Sequence, residues 1–207
     1  MGGVRKQFRI LGGAPVIVQT LRALTRCKDV DAIVVATPAG DSADWLEAGL
    51  RVSATVSGGG TRQESVARAM AVLPPEAGIV LVHDAVRPFI ETQAVSAVIA
   101  AARTAGAAAL AAPAVDTMRY GSGGLFNAAV SRSGLYLMQT PQGFRRRVLE
   151  EAMAAAESVE TDEVALVQRM NHPVTIVPGC RSNIKITTQE DWEWAATQWP
   201  CWEARQQ

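Results

Sequence analysis

Ile33-Val34-Val35, Ile79-Val80-Leu81-Val82 and Val174-Thr175-Ile176-Val177 are short apolar runs rich in β-branched residues. Each is too short for a buried helix, so each predicts a strand covered on both faces. A further strand is predicted near Val52–Val56. Between these runs the apolar period lengthens. Ile17, Leu21 and Leu24 recur at helical spacing after Pro15, a residue suited to a helix's first turn. Thr61-Arg62-Gln63-Glu64 is a capping-box pattern, followed by the apolar stripe Val66, Met70 and Leu73. Thr188-Gln189-Glu190-Asp191 repeats the device ahead of Trp192, Ala195, Ala196 and Trp199, whose rings predict core filling. Strands alternating with helices predict an α/β fold of three layers, a mostly parallel, Rossmann-like sheet with helices on both faces. Ligands of such sheets lie beyond the carboxyl ends of the strands.

Two segments depart from the alternation. Thr117–Val130 holds the turn-rich run Tyr120-Gly121-Ser122-Gly123-Gly124 between Met118 and Phe126, and predicts a projecting β-hairpin arm spanning residues 115–138. At the start, a doubly wound sheet usually opens with a strand and then a phosphate loop. Here the first periodic segment is already a helix, and Met1–Gln7 reads as the tail of a loop.

The 207 residues read as one domain. A domain of this size buries roughly 70% of its unfolded surface and needs no staple. Lys plus Arg equals Asp plus Glu at 20 each, whereas a nucleic-acid binder carries a basic excess. Cys27, Cys180 and Cys201 are widely spaced, with no C-x-x-C pair, and His83 and His172 are too few for a common metal cage. They read as reduced thiols of a cytoplasmic protein. Ala97–Ala114 is the longest alanine-rich stretch, and Arg103 interrupts it, so no membrane span is predicted. Met1–Phe8 is basic without an apolar core, unlike a signal peptide.

Candidate chemistry gathers at the strand ends. Ile79–Val82 runs into His83-Asp84-Ala85-Val86-Arg87-Pro88. Asp84 there could accept from a ribose hydroxyl, help hold magnesium, or simply pair with Arg87 and close the loop. Ser57-Gly58-Gly59-Gly60-Thr61-Arg62 places three glycines between a strand and a capped helix, where backbone can approach a ligand and a helix N-terminus favours anions. Such turns are common, so the signal is weak. Lys185 stands in the β-like Asn183-Ile184-Lys185-Ile186-Thr187, its charge between apolar neighbours; by residue type alone it is an ordinary surface lysine.

Taken together, five segments in this order resemble the 2-C-methyl-D-erythritol 4-phosphate cytidylyltransferase family. They are Lys6-Gln7-Phe8 with Gly12-Gly13-Ala14-Pro15-Val16; Gly58–Val66; Val82–Pro88; Gln139-Thr140-Pro141-Gln142-Gly143-Phe144; and Thr161-Asp162-Glu163 followed by Asn183–Thr187. Each is modestly specific, whereas their order and spacing along nearly the whole chain are highly specific. The resemblance implies that an acceptor phosphate oxygen attacks the α-phosphorus of CTP and that magnesium-bound pyrophosphate departs. It assigns catalysis to Lys6 and Lys185, two cations approaching one triphosphate. It assigns nucleotide binding to Gly59, Gly60, Arg62, Ser65, Asp84, Ala85 and Arg87, with Asp84 also at the metal. Thr117, Arg132, Thr140 and Thr161 match positions around the sugar-alcohol phosphate. The arm implies a homodimer, with Arg132 completing the partner's acceptor site.

Three departures from the family pattern stand out. Arg5 replaces a frequent proline, and Val86 replaces a common alanine. Of the family's upstream strand and Gly-x-Gly-x-Arg-Met-Gly loop, only Met1-Gly2 is present, so the resemblance predicts an in-frame upstream extension in the gene. Loss of even one donor to developing charge costs roughly 100- to 1,000-fold in rate. Two other functions fit many of the same motifs: a ribitol 5-phosphate cytidylyltransferase, and a non-catalytic CTP-binding or dimerisation module. A dinucleotide-dependent oxidoreductase does not fit, because Gly58-Gly59-Gly60 lacks the third glycine of G-x-G-x-x-G at its spacing.

Overall fold

The computed structural model describes residues 5–41 and 43–206. The predicted loop remnant Met1-Gly2 lies outside them. A 3-10 turn, Lys6–Phe8, leads to the paired short strands β1 (Ile10–Leu11) and β2 (Ala14–Pro15), then α1 (Val16–Arg26), β3 (Ile33–Thr37) and β4 (Val52–Ser57). There follow α2 (Arg62–Met70), β5 (Ile79–Val82), α3 (Thr92–Ala105), β6 (Ala107–Pro113), β7 (Met118–Ser122) and β8 (Leu125–Val130). The chain ends with β9 (Tyr136–Arg145), α4 (Arg146–Ala154), α5 (Glu163–Arg169), β10 (Thr175–Pro178) and α6 (Gln189–Ala204).

The larger sheet has the order β10-β6-β9-β5. β10 runs parallel to β6, and β9 is antiparallel to both β6 and β5, so three of its four strands share one direction. β3 and β4 form a parallel pair of their own. Burial follows the two-residue period of a strand. In β6, Ala108 and Leu110 join the apolar cluster of α1 and α3, while Ala107 and Ala109 join the opposite cluster with Leu149 of α4 and Leu166 of α5. Helices therefore cover both faces. Alanines let them sit close, and β9 contributes a glycine to the same end: a Cβ on Gly143 would lie 2.7 Å from Val98 Cγ1 and 2.9 Å from Leu81 Cδ2.

The predicted starts of the helices hold with local adjustments. Pro15 is the residue before the first turn of α1 rather than within it. Thr61 caps α2 by accepting from the Glu64 N–H, but the Glu64 carboxylate reaches the Gly60 N–H, one residue further back than a capping box requires. The full box forms at α6, between Thr188 and Asp191. Asn183–Thr187, expected to be strand-like, has no regular structure; it is tied in through its ends, with the Ile186 N–H donating to the Val86 carbonyl at 3.0 Å. Of the residues expected to fill the core, Ala195 and Trp199 are buried, Trp192 is half-buried and Ala196 is exposed. Trp202, one turn further on, joins Trp199 edge-on to the buried Phe89, each at 5.5 Å between centroids. That cluster anchors the loop after β5, where the site lies. The predicted arm is present as β7 and β8, and its Leu125 and Phe126 are 74% and 83% exposed.

Candidate functional site

The cleft forms where β5 ends. His83–Arg87 leave its carboxyl end, Met138–Gln142 of β9 pass beside it, Arg62 enters from the first turn of α2, Thr161 and Asp162 precede α5, and Lys185 comes from the segment before α6. Asp84 is the hub. Its Oδ2 lies 3.1 Å from Lys185 Nζ and 3.3 Å from Arg87 Nε, and its Oδ1 lies 3.7 Å from Arg62 Nε. Desolvation alone would push the Asp84 carboxyl up, but Lys185, Arg62 and Arg87 outweigh it and hold the group below its usual range. Desolvation pushes Arg87 down despite its bond to Asp84. Arg62 goes the other way: burial is more than offset by the carboxylates of Glu163 and Asp84, and its guanidinium is held above its ordinary value.

Each partner is held from behind. Arg87 donates through Nη1 to the Asn183 carbonyl at 2.8 Å, fastening the Lys185 segment to the loop after β5. Asn183 Nδ2 donates to the Thr140 carbonyl at 3.0 Å, and Gln139 Nε2 to the Cys180 carbonyl at 2.8 Å. Arg62 pairs with Glu163, whose carboxylate is 1% exposed. Gln142 donates to Asp162 at 2.9 Å, while the other Asp162 oxygen caps α5 by accepting from Ala165 N–H. The Thr20 hydroxyl of α1 lies 2.9 Å from the Ala85 carbonyl. Three cations, Arg62, Arg87 and Lys185, meet the carboxylates of Asp84 and Asp162 at the cleft, with Glu163 behind Arg62. Charge is concentrated there but balanced, in a polar site whose Arg and Lys groups can take phosphate oxygens in place of a carboxylate.

A profile of the 2-C-methyl-D-erythritol 4-phosphate cytidylyltransferase family matches residues 1–198. The chain belongs to that family. A 2-C-methyl-D-erythritol 4-phosphate cytidylyltransferase of Salinibacter ruber is 50% identical over 98% of this chain and 88% of its own length. One from Acidobacterium capsulatum is 43% identical, covering 92% and 85%. The crystal structure of the cytidylyltransferase from Thermus thermophilus superposes with a TM-score of 0.84 at 35% identity, over 94% of this chain and 93% of that one.

Of the residues singled out from sequence, the cleft brings together Arg62, Asp84, Arg87, Thr140, Thr161 and Lys185. Lys6, half-buried on its 3-10 turn, is not among the lining residues. Gly59, Gly60 and Ser65 lie in the adjoining turn, which is folded onto α2. There the Gly59 N–H donates to Ser65 Oγ at 3.0 Å and the Gly60 N–H to Glu64 Oε2 at 2.7 Å. Those amides, expected to face an anion, are engaged by their own helix. A Cβ on Gly59 would fall 2.2 Å from Glu64 Cβ, which explains the glycine as packing. Thr117 and Arg132 are exposed at the base of the arm, where Arg132 donates to the Val115 carbonyl. Gln139, Gln142, Asp162 and Glu163 carried no role in the sequence reading. Thr161-Asp162-Glu163 before an apolar run is a helix-start signal that points to Asp162 as a cap; nothing local marks Glu163 as the partner of Arg62.

Proposed function

We propose that this chain transfers a cytidylyl group from CTP to 2-C-methyl-D-erythritol 4-phosphate, releasing pyrophosphate and forming 4-diphosphocytidyl-2-C-methyl-D-erythritol for isoprenoid precursor synthesis. The observation that carries the reading is the Arg62–Arg87–Lys185 cluster around Asp84, in a chain of this family. An acceptor phosphate oxygen forms a bond to the α-phosphorus as the bond to the bridging oxygen of pyrophosphate breaks. No covalent intermediate is required, so the protein's work is positioning and neutralisation of charge on the phosphoryl oxygens. Lys185, 42% exposed at the mouth and paired with Asp84, is the cation for that charge. The second cation that the family resemblance assigns, Lys6, stands on the N-terminal turn outside the cleft's lining and would have to reach in when the triphosphate binds. Asp84, Ala85, Arg87 and Arg62 hold the nucleotide, with Gly59, Gly60 and Ser65 shaping the base end. Thr161 faces the acceptor.

Among the described residues no group of three or more His, Cys, Asp or Glu is placed to hold a metal. Asp84 is the carboxylate at the centre of the three cations, with Asp162 elsewhere on the cleft wall. It fits magnesium arriving on a triphosphate, whose oxygens and retained waters complete the shell, better than a bare ion. When bound, magnesium would neutralise the leaving pyrophosphate, with Asp84 as its protein ligand. The exposed arm, led by Leu125 and Phe126, packs against a second copy of the chain, with Arg132 completing that copy's acceptor site and Thr117 among the acceptor residues. Three free cysteines suit the reducing cytoplasm.

The test is pyrophosphate release from CTP and magnesium with 2-C-methyl-D-erythritol 4-phosphate, with ribitol 5-phosphate as competing acceptor. Turnover with the former, and its loss by about 100-fold or more in Lys185→Ala with an unchanged circular dichroism spectrum, supports the reading. CTP binding without turnover on either acceptor overturns it.

A further inference from the structure

The resemblance places Thr140 against the acceptor, yet its hydroxyl is engaged elsewhere. The Asp84 N–H donates to Thr140 Oγ1 at 3.0 Å. Thr140 Oγ1 lies 3.1 Å from His83 Nδ1, and His83 Nε2 lies 3.2 Å from the Arg87 carbonyl. A carbonyl oxygen only accepts, so Nε2 carries the ring proton. Nδ1 of the neutral ring is then an acceptor, and the single hydroxyl proton of Thr140 goes to it. The bonds form one directed chain, from the Asp84 amide through Thr140 and His83 to the carbonyl of Arg87.

We infer that Thr140 and His83 are positioning residues, which fix the backbone of the Asp84–Arg87 loop against β9 and so set where the Asp84 carboxylate stands among its three cations. Both ends of the chain are backbone groups of the same short turn, and the Arg87 N–H also donates to the Asp84 carbonyl at 3.1 Å. The turn is thus closed twice, once directly and once through the β9 hydroxyl. Thr140 has one lone pair left and no proton, so it cannot donate to a phosphate. His83 is not among the cleft's lining residues, and its influence passes through Thr140 and the Arg87 carbonyl. The inference rests on the cytidylyl-transfer reading for its kinetic consequence but not for its geometry.

Two measurements separate these. In the uniformly ¹⁵N-labelled protein, which has only two histidines, long-range ¹H–¹⁵N correlation at neutral pH should show His83 protonated at Nε2 and bare at Nδ1. In Thr140→Val the Nδ1 resonance should move. An Nδ1–H tautomer, or an imidazolium, overturns the inference whatever the enzyme's activity. In the turnover assay, Thr140→Val and His83→Leu should each lower kcat by about 10- to 100-fold, as small misplacements do, with the acceptor KM within about 2-fold. Thr140→Ser, and His83→Asn, which keeps an acceptor near the Nδ1 position, should recover most of it. The double variant His83→Leu/Thr140→Val should be no slower than the slower single. A rise in acceptor KM confined to Thr140→Val, with His83→Leu near wild type, overturns the inference in favour of direct contact. Absence of turnover in the wild type defeats the functional reading instead, and leaves the tautomer measurement to decide the geometry.

Discussion

Glu163 shows how a residue remote in sequence sets the electrostatics of the cleft. Its carboxylate is shut away from water behind Arg62, 101 positions earlier, so that Arg62 is shared between it and Asp84. Glu163→Ala should destabilise the fold by about 2 kcal/mol in urea unfolding, less than the ~3–5 kcal/mol of a fully buried pair, because Arg62 keeps some solvent and Asp84. It should also weaken CTP binding by freeing Arg62 to move. Stability equal to wild type would show that the pair carries no net energy. At this scale the sequence was readable where charge interrupts an apolar pattern: Asp84 and Arg87 just past β5, and Lys185 between two isoleucines. It was silent about Glu163 and Gln142, because their roles are set by partners that only the tertiary fold brings near.

Helix starts were the most legible elements, since a cap is written within four residues. At α6 the Asp191 Oδ2 accepts from the N–H groups of Thr187 and Thr188, each at 2.8 Å, and from the Thr187 hydroxyl. Desolvation favours the neutral acid, but these bonds prevail and hold Asp191 down at about 2, against 3.8 unperturbed. A depressed carboxyl stabilises the fold fully above its unfolded value and loses that contribution as pH falls through the folded one. Asp191→Ala should therefore cost about 1 kcal/mol at neutral pH, with the gap to wild type narrowing as pH falls past 3.8 toward 2 and closing only below it in thermal unfolding. A gap constant with pH would assign the loss to packing. The Lys185 segment is not the strand its alternation predicts, because alternating apolar residues suit either a ladder or an extended span; here side-chain and end contacts hold it. Gly143 has no sequence signal of its own beyond its motif, and its reason is the closeness of α3. Gly143→Ala should cost about 1–3 kcal/mol by overpacking against Val98 and Leu81, read from the urea midpoint.

For the molecule as a whole, alternation of strands and helices was enough to give the layers. The strand expected to be covered on both faces at Val174–Val177 is instead the edge strand β10, with Ile176 53% exposed, because an apolar run does not say where in a sheet it sits. Nor did alternation give the reversal of β9, because an apolar run carries no sign of its direction. The arm was legible from its glycine turn, and its solvent-facing aromatics support a second subunit as partner. Phe126→Asp together with Leu125→Asp should sediment as a monomer with unchanged secondary structure; an unaltered sedimentation coefficient would remove the arm from assembly.

β9 is a single span of ten residues, open to solvent over Tyr136–Met138 and enclosed over Gln139–Phe144. Whatever grips the outer part therefore sets the footing of Gln139, Thr140 and Gln142 directly along the same backbone. For subunits joined through the arm, catalytic competence then becomes a function of concentration: specific activity declines on dilution, with its half-point at the dissociation constant of the pair.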